Sequence, residues 1–91
     1  MTYRYLASFD RSVKALSRPQ RSAVQMALGK FFDFMETGRT PSGLGLKKLH
    51  KNFWEIRIDL SLRIIFQQER SLITFILTGD HNRIRRFLKM N

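Results

Sequence analysis

The stretch from Trp54 to Phe66, WEIRIDLSLRIIF, alternates apolar and polar side chains, and that period limits the register in which it can fold. Trp54, Ile56 and Ile58 share one side of a strand, and Leu62, Ile64 and Phe66 share one side of the next. A two-residue turn at Leu60 and Ser61 would set Ile58 opposite Arg63 and mix the two sides. A three-residue connection, Asp59 to Ser61, instead pairs Ile58 with Leu62 and Ile56 with Ile64. It also sets Arg57 directly opposite Arg63 and Glu55 opposite Ile65. Like charges opposed on a sheet cost roughly 0.2–1 kcal/mol, so stability alone does not ask for this pair. Two readings remain open. Either the two guanidinium groups grip a phosphate, each through paired hydrogen bonds, or Glu55 and Asp59 neutralise them on a face that is merely wet.

The flanking segments complete an α+β layout. Residues 2–7 alternate and are rich in aromatics, which predicts a first strand. Ser8 or Asp10 can cap a short helix to about Ser17, with Phe9, Val13 and Leu16 on one side. Pro19 suits the start of a second helix, running to about Glu36, along which Val24, Leu28, Phe31, Phe32 and Met35 recur at helical spacing. That Phe/Met stripe reads as packing onto a sheet. The glycines and proline of Thr37–Gly45 mark a loop. Three strands follow: one starting between Lys48 and Phe53 and ending at Asp59, then Leu62–Gln68 and Leu72–Thr78. Asp80 can cap a last helix with Ile84, Phe87 and Leu88 as its apolar side. The expected order is β-α-α-β-β-β-α, a small antiparallel β-sheet with an N-terminal helical hairpin packed on it and a short C-terminal helix, all helices on one face. Residues 1–91 suit a single domain.

Charge narrows the function. Seventeen Lys and Arg face seven Asp and Glu, a net +10. The excess is spread along the chain, so a polyanionic partner is expected: nucleic acid, an anionic membrane surface or an acidic protein. No apolar run approaches the ~20 residues of a membrane span, and the N-terminus lacks the apolar stretch of a signal peptide. The absence of cysteine rules out disulfides and thiolate metal sites, so a cytoplasmic location is expected. With only His50 and His81 and no clustered carboxylates, neither a metal site nor a cofactor is expected. GLGLKK lacks the strand–loop–helix context of a nucleotide-binding loop. Lys47, Lys48, His50 and Lys51 form a basic run just before the arginine strand, readable as a solvated loop or a binding segment. Near the C-terminus Arg83 and Arg86 point outward if Ile84 packs inward. His81 follows the last strand, as either a structural residue or a catalyst.

The pattern GLGLKKL…FWEIRI…LRIIF…ILTGDHNRIRRFL resembles the toxins of the RelE/ParE superfamily of toxin–antitoxin systems, and FDRSVKALSRPQR…ALGKFF fits their helical hairpin. The resemblance implies a concave basic sheet face. It also implies, for the RelE-like branch, cleavage of messenger RNA in the ribosomal A site by driving the 2′-hydroxyl onto its own phosphate without metal, which inhibits translation. On that basis Arg63, Arg57 and His81 are the expected catalytic residues. Lys47, Lys48, Lys51, Arg83, Arg86 and Phe87 are the expected RNA contacts. Phe87 stands near a Tyr of several relatives; it can stack on a base but cannot move a proton. The implied partners are a cognate acidic antitoxin and mRNA on the ribosome. A ParE-like inhibitor of DNA gyrase, or a basic module that binds without catalysis, are the alternatives.

Overall fold

The computed structural model describes all 91 residues. In chain order they form β1 (Thr2–Tyr5), α1 (Ala7–Lys14), α2 (Arg18–Thr37), β2 (Gly45–Lys48), β3 (Phe53–Arg57), β4 (Arg63–Glu69), β5 (Leu72–Gly79) and α3 (His81–Met90). One five-stranded sheet has the order β1-β5-β4-β3-β2. The α+β expectation holds, with two differences in the sheet. β2 is an additional strand that the Gly- and Lys-rich GLKK did not suggest, and it pairs antiparallel with β3. β1 lies parallel to β5, so one edge of the otherwise antiparallel sheet is mixed.

β1 and β2 occupy opposite edges, so the chain between them must cross the whole sheet. The α1–α2 hairpin makes that crossing. With 20 residues, α2 is about 30 Å long, against roughly 19 Å between the edge strands of a five-stranded sheet. Its start is fixed by a reciprocal cap. The Ser17 hydroxyl accepts from the Gln20 amide at 3.3 Å, and the Gln20 side chain accepts from the Ser17 amide at 3.0 Å. Gly38, at φ 74°, ends the helix in the left-handed conformation that glycine adopts without strain. Neither Ser8 nor Asp10 caps α1, which begins at Ala7 behind Leu6 without a side-chain cap. The Ser8 hydroxyl instead donates to the Ile76 carbonyl at 2.6 Å and ties the helix to β5.

Two cores flank the sheet. Beneath the helical hairpin, Phe9, Val24 and Phe31 meet Ile56, Ile64, Phe66, Ile73 and Phe75. The Phe31 and Phe66 rings lie 4.9 Å apart. On the other face Ile84 of α3 packs over Phe53, Ile65, Ile76 and Leu77. All helices were expected on one face, but α3 covers the second. The reason lies in β5: Ile65 pairs with Leu77 and Phe66 with Phe75, leaving Ile76 as an extra residue between them. Beyond this bulge both Ile76 and Leu77 turn to the second face, and their apolar surface must be covered.

The hairpin register is the one anticipated, with Ile56 opposite Ile64, Glu55 opposite Ile65 and Arg57 opposite Arg63. Asp59 shapes the three-residue connection, because its carboxylate accepts from the amides of Leu62 at 2.7 Å and Ser61 at 2.8 Å. Those two bonds, Leu62 first, hold the Asp59 carboxyl below its ordinary 3.8.

Phe75 is fully buried, so Phe75→Ala is expected to cost about 3–5 kcal/mol in urea unfolding. Met26→Ala, on an exposed side chain, should stay within about 0.5 kcal/mol. A depressed folded-state pKa stabilises above the unfolded value, and that stabilisation is lost as pH falls through the folded one. The stability difference between wild type and Asp59→Ala should therefore be full at neutral pH and shrink in acid below about pH 4. A difference that stays constant down to acid would rule out this role for the carboxylate.

Candidate nucleic-acid interface

The second sheet face is only partly covered. α3 covers Phe53, Ile65 and Leu77, while Lys47, Glu55, Arg57 and Arg63 share that face with them. Strand pairing places these four on one face, since Lys47 lies opposite Glu55 and Arg57 opposite Arg63. The same pairing draws a row across four strands: Gly45, Arg57, Arg63 and Gly79. The two arginines are thus flanked by glycines. A side chain at 45 would bring its Cβ within 3.3 Å of the Arg57 Cβ, so glycine leaves that flank of Arg57 open.

The two arginines differ. The Arg63 guanidinium makes a 3.0 Å ion pair with Glu55, whose side chain is 6% exposed against 15% for Arg63. A second guanidinium nitrogen donates to the Leu60 carbonyl at 3.2 Å, and Nε of Arg63 is buried without a partner. Arg63 is therefore clamped in place, whereas Arg57 is exposed. Among the seventeen Lys and Arg, Arg63 alone pairs with a side-chain carboxylate. The two readings left open by the sequence divide between the residues: Glu55 neutralises Arg63, and Arg57 keeps an unpaired charge.

His81 opens α3 two residues after Gly79, which pairs with Arg63. It is exposed and sits beside Asp80, whose side chain caps the helix by accepting from the Arg83 amide at 2.8 Å, as the sequence suggested. Lys48 lies on the other face of the sheet from Lys47, in register with Trp54. Lys51 lies at the far end of β3, in a turn, with its ammonium donating to the Asn91 main-chain oxygen at 2.9 Å. Phe87 is half-buried, and its ring packs edge-on against Phe53 at 5.1 Å. Arg83 and Arg86 face α1 across a polar cleft that also receives Arg11. Strand pairing thus sets Lys47, Arg57 and Arg63 on one face, with His81 two residues beyond the Gly79 end of the arginine row. Lys48 lies on the other face, and Lys51 and Phe87 belong to the far end of β3 and its contact with α3. Sequence reasoning missed Arg11, because no periodicity reports that α1 and α3 approach each other.

Breaking a buried ion pair strands a charge, whereas removing both partners does not. Glu55→Gln is expected to cost about 3 kcal/mol of unfolding free energy, and Glu55→Met with Arg63→Met should recover most of it. Equal losses in the single and double variants would show that the pair does not hold this face together.

No family model and no curated protein sequence matches the chain. Solved structures do match. A chain of the RelB–RelE antitoxin–toxin complex of Methanococcus jannaschii superposes with a TM-score of 0.69 at 15% identity, over 92% of this chain and 96% of that one. YafQ of E. coli strain BL21(DE3) gives 0.65 at 16% identity, over 90% and 94%. A YoeB/ParE toxin of Agrobacterium tumefaciens gives 0.66 at 16%, over 89% and 99%. The basic sheet face of the present chain is therefore carried on the fold that these RelE, YafQ and YoeB/ParE structures share.

Proposed function

We propose that this protein is the toxin of a toxin–antitoxin pair and a ribosome-dependent mRNA endonuclease acting in the cytoplasm. The observation that carries the proposal is the row in which an exposed, unpaired Arg57 stands beside a clamped Arg63 on the second face of the sheet. The fold, shared over nearly the whole chain with toxins, supports it.

In the proposed reaction the 2′-oxygen of a nucleotide attacks the adjacent phosphorus, the O2′–P bond forms and the P–O5′ bond breaks. A base takes the 2′-hydroxyl proton, and an acid gives one to the leaving 5′-oxygen. Arg57 and Lys47 hold the non-bridging oxygens as charge grows on the phosphorane, and Arg63 adds a positive charge fixed by Glu55. His81 serves as one of the two proton-transfer groups. Phe87 cannot share that work, and its ring, already against Phe53, leaves it at most an edge for stacking. Arg83 and Arg86 contact flanking phosphates, whereas Lys48, on the other face of the sheet, and Lys51, at the far end of β3, lie off that path. An acidic antitoxin segment that folds as it binds neutralises the same charges. No helix of the protein is long and apolar enough to cross a membrane.

Mapping of mRNA 5′ ends in a translating extract tests the proposal. New in-frame ends are expected with wild type only when ribosomes are present. Arg57→Ala should reduce them by about 10²-fold or more, and His81→Ala by about 10²–10⁴-fold. Full cleavage by His81→Ala would remove the histidine from the chemistry. Intact mRNA with wild type would end the nuclease reading, and loss of gyrase supercoiling in its place would establish the ParE-like activity.

A further inference from the structure

Beside the arginine row lies a second basic feature that takes no part in the bond-making and bond-breaking steps and that gathers Arg83 and Arg86 with Arg11. Between α1 and the first turns of α3 is a polar cleft of about 430 Å³, entered by Arg11 from α1 and by Arg83 and Arg86 from α3. None of the three guanidinium groups has a carboxylate within 4.0 Å or an intramolecular hydrogen bond. Asp80 also lines the cleft, but its carboxylate accepts from the Arg83 amide. Three positive charges and one negative leave the cleft with a net excess of two.

We propose that this cleft binds a phosphodiester group of single-stranded RNA, further along the same strand from the phosphate held at Arg57. The inference rests on the RNA reading above and extends it to a second subsite. Three features of the cleft support it.

Its walls are fixed. The Ser8 hydroxyl donates to the Ile76 carbonyl at 2.6 Å, and the Ser12 oxygen accepts from the Thr78 amide at 3.0 Å, so α1 is stitched to β5 along the cleft floor. Ser12 donates its own proton to the Phe9 carbonyl. Both serine protons are thus engaged within the protein, and the arginines are left as the donors that an anion would meet.

Arg83 is held at the junction between cleft and row. A Cβ at Gly79 would come within 2.8 Å of the Arg83 Cγ and 3.0 Å of its Cβ. Glycine at this position is what lets the Arg83 stem lie across the end of β5, next to Arg63 in the sheet register. The cleft therefore continues the row Arg57–Arg63–Gly79, with one strand spacing of roughly 4.8 Å between neighbours. An RNA strand held on the row reaches the cleft without leaving the protein surface.

The chemistry suits a tetrahedral oxyanion. Planar guanidinium forks from two helices can reach the two non-bridging oxygens of a phosphodiester from different sides of its tetrahedron, whereas a carboxylate presents its two oxygens in one plane.

The test uses the full chain, isotopically labelled, and a 2′-O-methyl hexanucleotide that cannot be cut through its 2′-oxygen. Binding should shift the Gly79 amide and the side-chain N–H signals of Arg11 and Arg83 together with those of Arg57. Arg11→Gln and Arg86→Gln should each weaken binding roughly five- to tenfold and lower the slope of log K against log salt by about 0.7. Arg70→Gln, in the β4–β5 turn at the opposite end of the sheet from Gly79, should change neither. Shifts confined to the Arg57 row, with unchanged affinity in Arg11→Gln, would overturn the subsite and leave the nuclease reading intact. Unaltered RNA binding with lost binding of polyglutamate would overturn it too, giving the cleft to carboxylates. Cleft shifts together with intact mRNA in the extract would sink the nuclease reading alone.

Discussion

Glu55 sits in the sheet with 4% of its surface exposed, and the Arg63 guanidinium 3.0 Å away is what makes that burial tolerable. A carboxylate in such a place costs several kcal/mol unless a cation and hydrogen bonds replace the water it loses. The pair therefore fixes the second face of the sheet. Arg63 is bound to Glu55 and to the Leu60 carbonyl, its main-chain oxygen accepts from the Thr78 hydroxyl at 2.8 Å, and its side chain has little freedom left. The pair also explains how two arginines can stand opposite each other on neighbouring strands. Paired with Glu55, Arg63 presents Arg57 with a nearly neutral neighbour, and the repulsion expected of like charges is largely cancelled. The positive charge that remains is concentrated on Arg57, which is exposed.

β5 organises the rest. It is flanked by β1 and β4, and it is buried from Ile73 to Thr78, so it must be apolar on both faces. The bulge at Ile76 divides those side chains, with Ile73 and Phe75 under the helical hairpin and Ile76 and Leu77 under α3. Both the arginine row and the arginine cleft depend on this division. The row ends at Gly79, the last residue of β5, and the cleft exists because α1 and α3 approach the same strand end from opposite faces.

What the sequence disclosed was local. Two-residue periodicity fixed the β3–β4 register, because a slip by one residue would have placed Ile56 and Ile64 in water. Asp80 declared itself as a helix cap, and the Phe/Met stripe of α2 as a packing surface. The features that escaped are long-range. The strand at Gly45–Lys48 has weak intrinsic preference, owing its state to pairing with β3. β1 finds β5 at a separation of some seventy residues. The burial of Ser8 against Ile76, which took it away from capping α1, is likewise tertiary. At the candidate site the arginine pair was readable, since register alone brings it together. That Glu55 would choose Arg63 over Arg57, and that Arg11 would join Arg83, follow from packing across elements and leave no trace in spacing.

The charge has a physical consequence for how the chain exists in solution. The net charge of +10 already includes the one ion pair, so the basic groups gathered at the Arg57 row and around the Arg11 cleft repel one another whenever the surface is bare. Counterions screen that repulsion over about 8 Å at physiological salt, whereas a polyanion laid across both clusters replaces it with attraction and stabilises the folded chain by mass action. The free and bound states are thereby coupled through electrostatics alone, without any hinge or lid. Two partners that both neutralise the row and the cleft must compete for them, because the rigid floor of strands and the stitched α1–β5 wall leave no second arrangement in which both could be satisfied at once.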